Sequence, residues 1–274
     1  MFGKLRVLEE KVSRNVKTSA TDLADAVATV RRRWGMHSVV SLDAYRQPLR
    51  SAPSSPTDPP LWWPSTTPAT QLMEMGGADT GGPLTLALLW LAAVPADGPL
   101  AVIDLDGCMY PPAAVVCGID LRRLVIIRPP SPRNFFHVIR ELTRCGGFDA
   151  ILGLLGKATC FSLAEAGQLR SFAHEARTAV LLIHDAKPEQ GPRFPLADTR
   201  LRVADRTWLW DDGELSGQCL CVDMERSRLG LADSRYELTL RLYRQGTHGT
   251  QSDHLYLDST LRTRGQRAFT ATRG

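Results

Sequence analysis

The residues whose types and spacing could bind phosphate form a glycine-rich turn at 77–84, GADTGGPL. A short apolar run precedes the turn and an apolar helical run follows it, and this order of strand, glycine turn and helix is typical of a phosphate-binding loop. The two positions that do the chemistry of such a loop are occupied by Pro83 and Leu84, where a lysine and a Mg²⁺-binding hydroxyl are needed. Proline also removes one N–H donor from the anion cradle. We therefore predict a degenerate nucleotide loop at Gly77, Gly82, Pro83 and Leu84; the alternative is an ordinary glycine turn with proline at a helix start.

Composition and charge limit the classes of protein to which this chain can belong. The chain has 274 residues, of which 43% are hydrophobic and 23% charged, as in a globular protein with one core and an appendage or with two small domains. Its net charge of +4 is compatible with a nucleic-acid or an acidic-protein partner. No apolar run approaches the roughly 18 residues that span a bilayer, and the N-terminus lacks the apolar region of a signal peptide. We expect a cytoplasmic protein without membrane association.

Six cysteines are scattered along the chain without a CxxC pair. In a reducing compartment such cysteines are typically small buried hydrophobic residues. Cys219 and Cys221 share one face of a predicted strand, but two sulfurs alone do not make a metal site. We expect no metal and no cofactor.

Periodicity and composition divide the chain into four segments. These are an N-terminal helix and strand (1–42), a linker rich in proline, serine and threonine (43–69), a core (70–245) and a C-terminal basic tail (246–274). Within the linker, Trp62 and Trp63 form a small apolar cluster that either packs against the core or binds a partner. The tail is low in apolar residues, so we expect it to be mobile.

The core has the pattern of an α/β fold. Between residues 71 and 185, apolar strands alternate with helices, which implies a mainly parallel sheet with helices on both faces. From residue 199 onward the apolar period is two, and this predicts antiparallel strands that extend the sheet at its C-terminal side.

From residue 22 to about 243 the chain resembles the bacterial RecA recombinase family, block by block and in order. No single block is specific, but the ordered series is. The landmarks are the N-terminal helix and strand at 23–42, Met73-Glu74-Met75 before the glycine loop, Ile103 to Asp106 with Pro111, Cys117 to Asp120, Asp149 to Leu152, and Val180 to Ile183. The resemblance implies a RecA-like core and, at residues 1–42, an element of the kind that packs on a neighbouring protomer; the alternative is that it folds back on its own core.

Departures from the RecA pattern imply that the ATP chemistry is lost. The position of the Walker B carboxylate holds Leu154, and that of the catalytic glutamate holds Asp106, for which the alternative is a carboxylate that simply faces solvent. Ile183-His184-Asp185 takes the place of the polar switch residues. Both DNA-binding loops are short, at 156–161 and 187–199, which implies weak or no binding of single-stranded DNA. We expect a pseudo-ATPase without catalytic residues, because phosphoryl transfer depends on the missing charges.

One feature of the RecA pattern is kept. Arg226 and Arg228 stand where RecA has a Lys-x-Lys pair that reaches ATP bound by the next protomer. Arginine is always charged and can contact phosphate through two nitrogens, so the resemblance implies a RecA-interface role for this pair. The alternative is an exposed cluster of charges. Further arginines in the tail, including Arg262 and Arg264, bind DNA, a protein partner or nothing.

RecA-like chains without the ATP chemistry and without the C-terminal domain of RecA resemble the ImuA family. ImuA proteins are accessory factors of a mutasome that also contains ImuB and an error-prone C-family polymerase. The resemblance implies RecA and ImuB as partners, with the polymerase reached through ImuB, and a role in damage-induced translesion mutagenesis. Two other functions stay open: a divergent DNA-dependent ATPase that uses Asp104 or Asp106, and a regulator that caps RecA filaments.

Overall fold

A computed structural model describes the core of the chain almost continuously. The described residues are 71–77, 81–94, 98–155, 160–185, 193–228, 233–247 and 250–264, together with 39–41, 60, 62–64 and the helical residues 25, 28, 29, 32 and 33. Most of the predicted linker, residues 156–159 and 187–192 of the two predicted DNA-binding loops, and the last ten residues lie outside them. No helix in the described part is long and apolar enough to cross a bilayer.

Across the described residues, ten strands and four continuous helices can be traced. The strands are β1 (Val39–Ser41), β2 (Leu72–Gly77), β3 (Leu100–Asp104), β4 (Leu124–Ile127), β5 (Ala150–Leu155), β6 (Ala179–Asp185), β7 (Thr199–Asp211), β8 (Glu214–Ser227), β9 (Ser234–Thr247) and β10 (Thr250–Arg264). The helices are α1 (Gly81–Ala92), α2 (Pro111–Val116), α3 (Pro132–Cys145) and α4 (Leu163–Ala176).

All ten strands join one sheet in the order β1-β4-β3-β5-β6-β2-β7-β8-β9-β10. The six strands from β4 to β7 in that order are parallel, and β1, β8, β9 and β10 pair antiparallel to their neighbours. The predicted α/β fold, a mainly parallel sheet with an antiparallel extension, is therefore confirmed. β1 adds to β4 of the same chain, so this part of segment 1–42 packs on its own core.

Two apolar layers cover the two faces of the sheet. On one face, α1 and α2 pack with Trp90 and Ala114 over alternate residues of the strands. On the other face, α3 and α4 bury side chains such as Leu142 and Leu169. The central strands β2, β3, β5 and β6 are buried on both faces because helices cover both faces of the sheet.

Local signals set the ends of the helices. Ser162 caps α4: its hydroxyl oxygen accepts from the Glu165 N–H at 3.3 Å, and the Glu165 carboxylate accepts from the Ser162 N–H at 2.9 Å. This reciprocal pair is a capping box. Helix α3 begins with Pro132 and is followed by Gly146 in the left-handed region, at φ 62°.

The structure bears on three expectations, which concern the C-terminal tail, the linker tryptophans and the cysteines. The segment expected to be a mobile tail contains β10, which pairs with β9 along its whole length; cross-strand backbone hydrogen bonds stabilise it although its sequence is polar. Trp62 and Trp63 are buried, at 0% and 4% exposure, so this point of the linker packs on the core. Cys108 and Cys160 are exposed, so the expectation of uniformly buried cysteines is wrong.

Candidate functional site

The start of α1, the segment after β3 and the carboxyl ends of β5 and β6 meet at one edge of the sheet and form a shallow pocket. Its volume is about 40 Å³, which is room for a few water molecules. The register places Asp104 opposite Leu154 and Leu154 opposite Ile183. The lining residues are Pro83, Leu84, Asp106, Cys108, Leu154, Leu155, Ile183, His184 and Asp185. The structure therefore brings together the residues that the sequence places at a nucleotide site.

The glycine loop lies beside this pocket. Gly77 ends β2, while Gly82 and Pro83 belong to the first turn of α1. A proline costs little there, because the first N–H groups of a helix have no intrahelical partner. A Cβ atom at Gly82 would lie 3.1 Å from Val203 Cγ1, so this glycine also lets α1 approach the sheet closely. Residues 78–80, the centre of the loop, lie outside the described part.

Asp104 has a structural role at the end of β3. Its carboxylate is fully buried. Oδ1 accepts from the Cys108 N–H at 2.9 Å, and Oδ2 accepts from the Met109 N–H and from Arg128 Nε, both at 3.2 Å. Both oxygens are thus used to hold the turn after β3, which leaves Asp104 poorly placed to bind Mg²⁺. Asp106, by contrast, is exposed at the rim of the pocket.

Nothing in the described pocket provides a strong nucleophile or a metal centre. Burial, together with the Asp104 carboxylate, raises the pKa of Cys108 to about 11, so its thiol is neutral at physiological pH. Across the described residues there is no group of three or more histidine, cysteine or acidic side chains arranged to hold a metal ion.

Glu74, one of the landmarks of the RecA resemblance, is the centre of a polar network that the sequence did not predict. Its side chain is fully buried on the α3–α4 face of β2. Oε1 accepts from the Arg193 N–H at 2.6 Å and from the Phe194 N–H at 3.0 Å, and it lies 3.0 Å from His184 Nε2. Oε2 accepts from Arg200 Nε at 2.7 Å. The signal that could have found it is a single carboxylate within an otherwise apolar strand.

The network connects the pocket with the segment of the second predicted DNA-binding loop. His184, which lines the pocket, precedes residues 186–192, and Arg193 and Phe194 follow them. Burial by itself raises the pKa of Glu74, but hydrogen bonds from His184 and Arg200 outweigh it and hold the pKa below its ordinary value of 4.5. Glu74 is therefore ionised and ties both ends of this segment to β2.

Arg226 and Arg228 lie away from the pocket. Arg226 is opposite Arg200 in the β7–β8 pair, and Arg228 donates its backbone N–H to the Asp198 carbonyl. Both side chains have partners within the chain: Arg226 Nη1 donates to the Pro195 carbonyl at 3.1 Å, and Arg228 Nε lies 2.9 Å from Asp198 Oδ1. The Arg228 side chain is still 53% exposed. The sequence did not predict these intrachain partners.

Comparison with known proteins identifies relatives of this fold. RecA of Gloeothece citriformis is 26% identical over 125 residues, which are 45% of this chain and 35% of that RecA. RecA of Prochlorococcus marinus is 24% identical over 147 residues, 53% of this chain and 40% of that RecA. About half of the chain is thus similar to RecA. RecA of Streptomyces ambofaciens is 27% identical over 131 residues, which are 46% of this chain and 35% of that RecA.

The RecA-like region accounts for about half of the chain and less than half of each relative. No protein-family model matches the sequence. The similarity thus supports the RecA-like core, and what this chain does with that core has to be argued from its own residues.

Proposed function

We propose that this chain is a non-catalytic, RecA-like accessory protein of DNA repair, similar to ImuA. In this role it docks on RecA and ImuB and helps to bring an error-prone polymerase to damaged DNA in translesion mutagenesis. The observation that carries the proposal is the pocket at the carboxyl edge of the sheet. It keeps the layout of a nucleotide site, but Pro83, Leu84 and Leu154 stand at the positions where such a site needs charge or metal-binding oxygen.

The hydrogen bonds made by the Asp104 carboxylate support the loss of ATPase activity. A divergent ATPase would need a carboxylate at this edge for Mg²⁺ or for the attacking water. Asp104 is occupied by two backbone N–H groups and by Arg128, which leaves Asp106 as the exposed acid at the end of β3. Asp106 and Asp185, beside apolar Leu84 and Leu154, supply no positive charge to a triphosphate.

The place of Arg226 and Arg228 supports docking on a neighbouring molecule. Gly77 marks the carboxyl end of β2, whereas Arg226 lies level with Glu74 and Arg228 level with Leu72. At about 3.3 Å per residue, the two arginines stand roughly 10 and 17 Å back along the strand direction from Gly77. They are therefore displaced from the chain's own glycine loop. A nucleotide that they contact would be one held by a second protein, as RecA holds ATP.

Calorimetry with ATP and Mg²⁺ tests the non-catalytic part of the proposal. We expect no binding tighter than about 1 mM, which corresponds to only about 4 kcal/mol. The double variant Pro83→Lys/Leu84→Thr should not gain ATPase activity, because Leu154 still supplies no carboxylate to the metal shell. A micromolar dissociation constant in the unmodified chain, or turnover stimulated by single-stranded DNA, would favour the divergent ATPase instead.

Biolayer interferometry against RecA filaments formed with an ATP analogue tests the docking part. Arg226→Ala/Arg228→Ala should bind at least about tenfold more weakly, since a lost charge-assisted contact costs about 1.5–3 kcal/mol. Binding to ImuB should be unchanged. The matched control is Arg262→Ala/Arg264→Ala in β10, which removes the same charge elsewhere.

The outcomes of the docking test separate the alternatives. Equal weakening in both double variants would mean nonspecific attraction, and undiminished binding of Arg226→Ala/Arg228→Ala would refute the filament-end contact. A chain that binds RecA through these arginines and also shortens RecA filaments, without affecting ImuB, would be a capping regulator.

A further inference from the structure

Helix α3 has three arginines in a line on its outer side, which we call the arginine row. Arg133, Arg140 and Arg144 are separated by seven and then four residues, and this spacing places them on one face of a helix. At 1.5 Å per residue the row is about 16 Å long. Arg133 is exposed, and the side chains of Arg140 and Arg144 are 32% and 65% exposed. A partner can therefore reach the row along about three turns of the helix.

The arginine row keeps a positive charge after its ion pairs are counted. The one acid of α3 is Glu141, and its two oxygens pair with Arg140 at 3.0 Å and with Arg144 at 3.1 Å. One carboxylate against two guanidinium groups leaves one positive charge. Arg133 has no ion pair or side-chain hydrogen bond within the described part of the chain, so it adds a second charge.

The environment of His137, which lies on the same face of α3, also shows a positive potential. Its pKa is below the ordinary value of 6.5, because of burial and then of the Arg33 and Arg140 charges, although Glu141 acts in the opposite direction. Arg33 Nη1 lies 2.7 Å from His137 Nε2, so Arg33 is engaged within the chain and is not counted among the charges of the row.

Apolar side chains lie beside the amino-terminal end of the row. Phe136 follows Arg133 by three residues and is only partly buried, with the Arg140 guanidinium 6.0 Å from its ring centroid. The Phe136 ring packs edge-on against Phe161, with 5.8 Å between the centroids. Leu163 comes two residues later, at the start of α4, and is 66% exposed. A partner that covers this surface would bury apolar area as well as neutralise charge.

The charge of the row favours a polypeptide over a nucleic acid. Proteins that bind nucleic acid mainly through phosphates make on the order of six to ten such contacts. The row supplies two uncompensated charges, and Glu141 lies between its arginines, where it would repel a regular series of phosphates. Acidic side chains at chosen positions avoid that repulsion.

The spacing of the row favours an α-helix as the partner. The arginines stand about 10 and 6 Å apart along the α3 axis. Side chains on one face of a β-strand recur about every 6.6 Å and do not follow that pattern. Carboxylates separated by four and seven residues on a second helix do follow it, and charged residues at such positions set the choice of partner between paired helices.

We propose that the arginine row of α3, together with Phe136 and Leu163, docks an acidic amphipathic helix of a partner protein. Carboxylates of that helix pair with the arginines, and its apolar side chains cover Phe136 and Leu163. The site is inferred from this surface alone and does not depend on the accessory role proposed above.

Fluorescence anisotropy with the full chain and labelled helical peptides of about five turns tests the proposal. The first peptide has glutamates at the spacing of the row and leucines on the adjacent face. The second has the same composition in scrambled order, and the third has glutamine in place of glutamate. We expect the first peptide to bind at least about tenfold more tightly than the other two, because both charge and spacing are needed.

Matched variants show whether the arginine row is responsible. Arg133→Ala/Arg144→Ala should weaken binding of the first peptide about tenfold or more, and Leu163→Ser should weaken it about threefold. The control Arg122→Ala/Arg235→Ala removes two exposed arginines that pair with aspartates elsewhere in the chain, and it should leave binding unchanged. Circular dichroism checks that each variant keeps the native fold.

Glu141→Gln tests the same surface in the opposite direction. It removes the carboxylate that pairs with Arg140 and Arg144, so the first peptide should bind about threefold more tightly. In an NMR titration of the native chain, saturation with this peptide should raise the pKa of His137, because the added carboxylates offset the positive charge around its ring.

Three results would overturn the proposal. The first is absence of binding by the first peptide, or equal binding by the scrambled one. The second is equal weakening by Arg133→Ala/Arg144→Ala and by Arg122→Ala/Arg235→Ala, which would mean a general attraction to a basic chain. The third is tight binding of a fifteen-residue oligothymidine that Arg133→Ala/Arg144→Ala abolishes and the acidic peptide does not displace, which would make the row a nucleic-acid site.

Discussion

Replacement of Glu74 is the sharpest test of the network beneath the pocket. Glu74→Ala removes a fully buried carboxylate that accepts hydrogen bonds from two backbone N–H groups and from Arg200. The Arg200 side chain is only 18% exposed, so its charge would lose its partner in a poorly hydrated site. Breaking such a buried pair costs about 3–5 kcal/mol of unfolding free energy.

Urea denaturation followed by fluorescence measures this loss. With a denaturant slope of about 3 kcal/mol per M, Glu74→Ala should lower the midpoint by roughly 1–2 M. The control is Glu141→Ala, which removes a carboxylate that pairs with Arg140 and Arg144 near the surface. Exposed pairs of this kind contribute below about 1 kcal/mol. Equal midpoints for the two variants would refute a stabilising role for the Glu74 network.

The pH dependence provides a second check on the same network. The pKa of Glu74 is lower in the folded chain than its ordinary value of 4.5, with burial opposed by the hydrogen bonds from His184 and Arg200. A carboxyl group with a depressed folded pKa stabilises the fold above its unfolded pKa, and this stabilisation is lost as the pH falls through the folded pKa. The stability advantage of the native chain over Glu74→Gln should therefore be full at neutral pH and should shrink below about pH 4.5. An advantage that grows on acidification would contradict this assignment.

Two further predictions concern the peripheral segments. Trp62→Ala should lower the free energy of unfolding, measured by urea denaturation, by about 3–5 kcal/mol, because Trp62 is fully buried against Tyr236. The control Trp210→Ala, at an exposed position, should change it by less than about 0.5 kcal/mol. Similar losses in the two variants would contradict the packing of Trp62 on the core. In an NMR titration, His137 should show a pKa below its ordinary value of 6.5, because of burial and then the nearby Arg33 charge. Arg33→Ala should raise that pKa, and an unchanged value would mean that Arg33 does not lie on α3.

The notable differences between prediction and structure have identifiable physical causes. β10 was missed because its sequence is polar: backbone hydrogen bonds to β9 form whatever the side chains are, so hydropathy gives no signal. The apolar alternation in the sequence separates Leu201 to Val203 from Thr207 to Trp210. They belong to one strand, because the irregularity at Ala204 shifts the alternation without ending the strand.

The sequence by itself determined the α/β architecture and the chemistry absent from the glycine loop. The apolar runs that become β3, β5 and β6 specify strands buried on both faces, and Pro83 and Leu84 exclude a lysine and a hydroxyl whatever the fold. Only the tertiary structure decided the roles of the charged residues. The role of a buried carboxylate such as Glu74 or Asp104 depends on the hydrogen-bond donors around it. His184, Arg193 and Arg200 contact Glu74 only because distant parts of the chain converge on β2. Likewise, Trp208 and Trp210 have the sequence of a buried strand, and only the packing of the described helices, which leaves this part of β7 uncovered, decides their exposure.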